Sequence, residues 1–293
     1  MVARNVEANE RTVAAGTARR KVKASTLLLH LVLLCGVAIS IFPFYWLVVM
    51  ATNTAGAIYR FPPTLTFGTQ FFINITHVLQ NIDFFGSFVN TVIVAASLMI
   101  LVMFFDSLAG FTFAMFDFPG KNALFLVLLA TFMVPAQLSV VPLFVIMAHL
   151  KWVGSLQALI VPGAANAFGI FWMRQYAGGA IHPELLDAGR MDGCGHFRLY
   201  WNVGLPLLRP ALAFLGIFTF IGAWNDYFWP LIVLVNPRRL TLQVALSQLN
   251  GIYSTDYGMV MAGTLVATIP LIIIFVLGNR QFIGNIAAGA IKS

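Results

Sequence analysis

Two groups of residues in this chain of 293 amino acids have the types and spacing for chemistry with a partner molecule. The first is Trp224-Asn225-Asp226-Tyr227-Phe228-Trp229-Pro230, a carboxylate and an amide set among aromatic rings. Such a cluster can stack on and hydrogen-bond a sugar; equally, Asn225 and Asp226 can satisfy helix backbone broken near Pro230. The second is Glu184-Leu185-Leu186-Asp187-Ala188-Gly189-Arg190-Met191-Asp192, closed by Gly193-Cys194-Gly195. Pro183 suits the first turn of a helix and Glu184 its positive end, while Gly193 suits the left-handed conformation that stops it. On a wheel of 100° per residue, Leu185, Ala188 and Gly189 share one side, and Glu184, Asp187 and Met191 another. Small residues with an acidic rim make a docking knob; the other reading is an amphipathic helix lying on lipid. No catalytic constellation accompanies them. Gly120-Lys121 is followed by Asn122 and lacks the spacing of a phosphate-binding loop, Gly193-x-Gly195 leads to Arg198 and is no dinucleotide fingerprint, and neither H-E-x-x-H nor a Ser/His/Asp grouping occurs.

The elements that must position these groups are set by composition. The chain is 60% hydrophobic and 9% charged, with a mean hydropathy of +0.88, whereas soluble domains are about 25% charged. That excludes an ordinary soluble enzyme, a disordered chain and a secreted disulfide scaffold. Cys35 falls in an apolar run and Cys194 in a polar loop, so neither a disulfide nor a metal site is expected. Most of this protein is solvated by lipid.

Apolar runs long enough to cross a bilayer predict six helices, at about 27–51, 88–116, 123–150, 152–173, 211–235 and 258–278. The first is too long for a signal-peptide core and lacks a small-residue cleavage site, so it is read as an uncleaved span. Pro135, Pro142 and Pro162 break helices at depth, with Gln137 and Asn166 beside the breaks as pathway candidates. Asp106 is read as lying near an interface or in a contact between helices. His30 and His149 are read as interfacial. The net charge of +7 is explained by a basic tail, residues 1–26, rather than by a nucleic-acid site. Of 17 basic residues, 13 fall on one side of the predicted membrane (Arg4, Arg11, Arg19, Arg20, Lys21, Lys23, Lys121, Arg174, Arg190, Arg198, Arg209, Arg280 and Lys292) and four on the other. The excess of basic residues marks the cytoplasmic side and places both termini there. Loop 52–87 then lies outside as a folded cap, and loop 174–209 lies inside.

Within that inner loop, Asp187-Ala188-Gly189-x3-Gly193-x9-Val203-x-Leu205-Pro206 resembles the EAA loop of ABC-importer permeases, E-A-A-x3-G-x9-I-x-L-P. Asp replaces Glu, Gly replaces the second Ala, and Val replaces Ile. Further runs resemble carbohydrate-importer permeases of the maltose-transporter type. They are Phe118-Pro119-Gly120-Lys121, Met133-Val134-Pro135-Ala136-Gln137, Phe168 to Gln175, Trp224 to Pro230, and Ala288-Gly289-Ala290-Ile291-Lys292. Together they cover residues 27–293. Members usually carry Ala-Arg before Phe-Pro-Gly-Lys, where this chain has Ala114-Met115 and then Asp117; a cytoplasmic ion pair made by that Arg is missing here.

The resemblance implies an all-α integral membrane protein, with six transmembrane helices and an EAA-type coupling-helix loop in one permease domain (27–293). It implies the permease subunit of an ATP-driven importer for a sugar or related polyol in the bacterial inner membrane. Expected partners are a second homologous permease, two cytoplasmic ATPase subunits and an external solute-binding protein. Expected docking residues are Glu184, Asp187, Ala188, Gly189, Gly193, Leu205 and Pro206; expected pathway residues are Gln137, Asn166, Trp224, Asn225 and Asp226. The chain itself is expected to hold no catalytic residue, metal or cofactor, ATP and Mg being bound by its partners. An ion-coupled secondary transporter is the alternative suggested by Asp106, Asp226 and the broken helices.

Overall fold

The computed structural model describes the backbone of residues 2–251 and 255–290, and the side chains of 26–251 and 255–278. The side chains of the basic tail residues Arg4 to Lys23, of Arg280 and of the closing run from Ala288 to Lys292 lie outside the described residues. Regular structure among the described residues is helical throughout.

In chain order the helices are α1 (Val2–Thr52), α2 (Ala55–Ile58), α3 (Phe71–Asn81), α4 (Phe84–Met115), α5 (Lys121–Phe132), α6 (Val140–His149) and α7 (Gln157–Ile160). There follow α8 (Ala167–Ala180), α9 (Pro183–Met191), α10 (His196–Leu199), α11 (Leu205–Asn225), α12 (Phe228–Val233), α13 (Leu242–Ser247) and α14 (Tyr257–Ala290). Four stretches are long and apolar enough to cross a membrane singly: Thr26–Thr52, Phe84–Met115, His196–Asn225 and Tyr257–Gly278.

The remaining expected spans are broken. Run 123–150 divides into α5 and a segment beginning at Ala136, bent by 91°. Pro135 lies at the corner; its ring removes a backbone donor and disfavours helix at Val134. Run 152–173, expected as one span, holds only the single turn of α7 and the start of α8. Pro162 and Gly163 interrupt it, and Asn166 restarts the helix as an N-cap whose side chain accepts from Gly169 N–H at 2.9 Å. Run 211–235 is also divided. Helix α11 begins earlier, at Leu205, fed from α10 through a π-helical turn at Tyr200–Gly204, and it ends at Asn225, where Asp226 turns extended.

Helix α4 is the axis of the bundle, packing against both α8 and α11. One buried cluster surrounds its first half and includes Trp224, Val233, Leu242 and Leu246. Another surrounds its second half and includes Phe111, Met173, Tyr200 and Leu208. Helix α13 was not expected from the sequence. It is tucked between α4 and α14, with Leu242 N–H donating to Thr91 Oγ1 at 2.7 Å.

Segment 52–87 folds back on the end of α1. Asn74 Nδ2 donates to the Ala51 and Asn53 carbonyls at 2.9 and 3.1 Å, and Gly68 N–H donates to Thr52 Oγ1 at 3.1 Å. A Cβ at Gly68 would stand 2.2 Å from the Thr52 carbonyl oxygen, so only glycine allows this approach. Residues 26–45 of α1, by contrast, are exposed along their whole length.

Candidate functional site

The breaks in the helices meet at an open cavity of about 430 Å³. Gln137 and Val140 contribute one wall, Pro162 and Gly163 a second, and Asp226 and Trp229 a third. Pro162, which interrupts one of those helices, is itself part of the wall. Asp226 stands extended between α11 and α12, and its side chain is one of the groups lining the cavity. Trp229 is pinned by its indole N–H, which donates to the Ala158 carbonyl at 3.0 Å. The result is a mostly apolar, aromatic-edged hollow with one carboxylate and one amide. That combination suits a solute with an apolar face and hydroxyl groups.

Only Gln137 and Asp226 of the five expected pathway residues line this cavity. Trp224 is a correction: it is 1% exposed, stacks on Phe220 and donates its indole N–H to the Ala267 carbonyl at 3.2 Å. Its ring is core, because a buried indole with a satisfied N–H costs nothing further to bury. Asn225 turns back on its own helix, donating to the Ile221 carbonyl at 2.9 Å. Asn166 is occupied as the cap of α8, and its backbone N–H donates to Asp106 Oδ1 at 3.1 Å. Trp229 and Phe228 line the cavity instead, and nothing in the spacing distinguished Trp229 from Trp224.

Asp106, on α4, is fully buried and accepts from the residue that caps α8, which is the contact between helices that the sequence suggested. Its Oδ2 stands so close to Gly169 that a Cβ there would lie 1.9 Å away. Asp117, outside the bundle core, pairs with Lys121 Nζ at 3.0 Å, and the Arg174 guanidinium sits 3.8 Å over the Phe125 ring.

A second candidate surface is α9 with its flanks. Pro183 lies in its first turn and Glu184 at its start, as the sequence indicated. Gly193 has φ of +79° with nothing near its missing Cβ, so it is needed for its backbone and not for packing. Cys194 N–H reaches back to the Gly189 carbonyl at 3.0 Å and closes the helix end.

The side that Leu185, Ala188 and Gly189 were expected to share is divided in α9. Leu186 and Gly189 are buried, whereas Leu185 and Ala188 are exposed. Gly189 is therefore corrected from a docking contact to an internal one: a Cβ there would come 2.5 Å from Leu199 Cδ2. Glu184, Asp187, Ala188 and Met191 form the outward edge, Met191 being 89% exposed. Asp187 Oδ1 accepts from Arg190 at 2.8 Å. Leu205 is half-buried and Pro206 exposed, both in the first turn of α11.

Residues 106–282 match the family described as binding-protein-dependent transport system inner membrane component. The chain is 36% identical over 254 residues to the lactose transport system permease protein LacG of Rhizobium radiobacter, covering 87% of this chain and 92% of that one. It is 31% identical over 257 residues to the arabinooligosaccharides transport system permease protein AraQ of Halalkalibacterium halodurans, with coverage of 87% and 92%. It is also 31% identical over 269 residues to the sn-glycerol-3-phosphate transport system permease protein UgpE of Salmonella typhi, with coverage of 88% and 94%. Its fold matches a bacterial ABC transporter that imports the acidic polysaccharide alginate, with a TM-score of 0.78 over 89% of this chain and 97% of that one at 22% identity. A second structure, of a bacterial alginate ABC transporter in complex with an alginate pentasaccharide-bound periplasmic protein, matches with a TM-score of 0.60 at 17% identity, over 89% of this chain and 96% of that one. Nothing in these matches supports the ion-coupled alternative. The chain belongs to the binding-protein-dependent transport system inner membrane components, the multi-pass permease subunits of ABC importers, which are not themselves catalysts.

Proposed function

We propose that this protein carries a sugar or related polyol through the inner membrane as one half of a permease pair. The observation that carries the reading is the stance of α9. Its Leu186 and Gly189 face is fastened to the bundle while its Glu184, Asp187, Ala188 and Met191 edge is bare, as a helix seated in the cleft of another protein requires. The names of relatives such as the lactose and arabinooligosaccharide permeases support the cargo class.

In this reading the six spans are the four continuous stretches plus two broken ones, 121–149 and 157–180, within a permease domain of residues 27–293. The basic tail, residues 1–26, and both termini lie in the cytoplasm, in accord with the 13 to 4 division of basic residues. Residues 183–206 form the EAA-type loop, with Glu184, Asp187, Ala188, Gly193, Leu205 and Pro206 shaping the ATPase-docking surface. Two ATPase subunits bind ATP and Mg, and closure of their dimer rocks the spans about the cavity. The exposed apolar length of α1 supports a second permease subunit, and an external solute-binding protein delivers cargo to the 52–87 side.

The test is reconstitution of the complete transporter in vesicles with lactose as probe. Uptake should require ATP and the ATPase chains, and Asp187→Lys should release the ATPase while leaving the permease folded. Uptake driven by an ion gradient alone, or full retention of ATPase by Asp187→Lys, refutes the assignment.

A further inference from the structure

Two adjacent side chains in the second half of α4, Asp106 and Ser107, are both fully buried and hold different neighbours. Asp106 Oδ1 accepts from the backbone N–H of Asn166, the residue that opens α8 directly after the Pro162-Gly163 break in the cavity wall. Ser107 Oγ lies 2.7 Å from Tyr200 Oη. Ser107 also donates its hydroxyl hydrogen to the Met103 carbonyl, so Tyr200 is the donor in that pair.

Tyr200 is 1% exposed and opens the π-helical turn that closes the proposed docking loop. One turn further along α4, Phe111 fills the space beside Gly204, where a Cβ would come 2.7 Å from its ring. On the other side, Gly110 meets Met173 of α8 so closely that a Cβ would come within 2.5 Å. At the cavity, Gly163 is held against Leu98 of α4, with 2.8 Å left for a Cβ. The docking loop thus begins from a helix pinned to α4 at Asp106 and ends in a turn pinned to α4 at Ser107.

Interiors packed this closely move as bodies rather than deform. We propose that Asp106 and Ser107 are positioning residues for transport. Through Tyr200 and Asn166 they fasten the end of the docking loop and the cavity-wall break to one helix, so that displacement of the loop reaches the wall. The proposal rests on α9 being the ATPase-docking helix. Neither side chain needs to touch solute. Removing either contact should leave ATP hydrolysis in place and disconnect it from the cavity.

The test uses the full transporter in vesicles, with Cys35 and Cys194 changed to Ser and a single cysteine at exposed Ala165. The alkylation rate by a membrane-impermeant maleimide is measured with and without ATP plus vanadate, which requires no solute. ATP–vanadate should change the rate about fivefold in the parent and less than about twofold in Ser107→Ala, Tyr200→Phe and Asp106→Leu, as loss of a coupling contact implies. ATPase rate and complex yield should stay at the parental level.

Asp106→Asn keeps an acceptor for Asn166 and should retain the response, which a need for charge alone would not predict. The Ser107→Ala/Tyr200→Phe double variant should be no worse than either single variant. An undiminished response in Ser107→Ala, or no ATP response in the parent, overturns the relay. Retention of ATPase by Asp187→Lys, measured in the same preparations, refutes the docking reading instead.

Discussion

Substituting alanine for Gly169 sets two effects of known size against each other. Gly169 lies in the first turn of α8, where alanine normally stabilises a helix by about 1 kcal/mol. Here its Cβ would stand 1.9 Å from Asp106 Oδ2, 2.8 Å from Cγ and 3.1 Å from Cβ. That carboxylate is fully buried and cannot swing aside without losing the Asn166 N–H. Overpacking of this kind costs about 3 kcal/mol at the upper end of the usual range, and the displaced hydrogen bond about 1 kcal/mol more. The clash wins, and Gly169→Ala should be destabilised by at least about 2 kcal/mol once the helix gain is subtracted.

At about 2–4 °C per kcal/mol for a chain of this size, the apparent unfolding temperature should fall by roughly 4–8 °C. It can be followed by intrinsic tryptophan fluorescence of the purified permease in detergent. Adding Asp106→Ala removes the clashing carboxylate, so the double variant should recover much of the loss, a non-additivity of about 1–2 kcal/mol. A Gly169→Ala protein that unfolds at or above the parental temperature would show that α4 and α8 are not held at this distance.

Other perturbations test separate parts of the molecule. Asp226→Ala removes the carboxylate from the cavity wall and should slow lactose uptake, whereas Asp226→Asn keeps a polar group of the same shape and should retain more of it; equal uptake by both variants would remove a polar contact at this position from consideration. Gly68→Ala drives a Cβ to 2.2 Å from the Thr52 carbonyl and should loosen the 52–87 cap, read as faster tryptic cleavage at exposed Arg60 in folded protein. Asp187→Lys breaks only an exposed ion pair, worth under about 1 kcal/mol, so its unfolding temperature should stay within about 3 °C of the parent even as ATPase is lost.

The chain announced some of this plainly. Pro183, Glu184 and Gly193 delimit α9 because each answers to local backbone chemistry, which the sequence carries in full. Pro135, Pro162 and Asn166 mark the breaks for the same reason, whereas Pro142, expected as a further break, falls in the first turn of α6, where no helix hydrogen bond needs its missing donor. The orientation of α9 was not legible: Leu185 and Leu186 are adjacent and equally apolar, and only the position of Leu199 decides which turns inward. Trp224 and Trp229 are likewise alike in the sequence, and the carbonyls of Ala267 and Ala158 that receive them belong to distant segments. The partner of Asp106 could not be read from spacing, since Asn166 is 60 positions away. Helix α13 was hidden because six residues following an Arg pair look like loop until α4 and α14 enclose them.

The bare length of α1 carries a consequence for how this protein comes into being. Residues 26–45 are exposed, so the chain's own packing holds α1 by contacts with α14 and with segment 52–87 near its end, and leaves that stretch bare. In the proposed permease pair, lipid and the second subunit are left to cover it. Binding of that second subunit would stabilise the folded protomer by mass action, in proportion to how much of it is present. A cell making this subunit in excess should degrade the surplus.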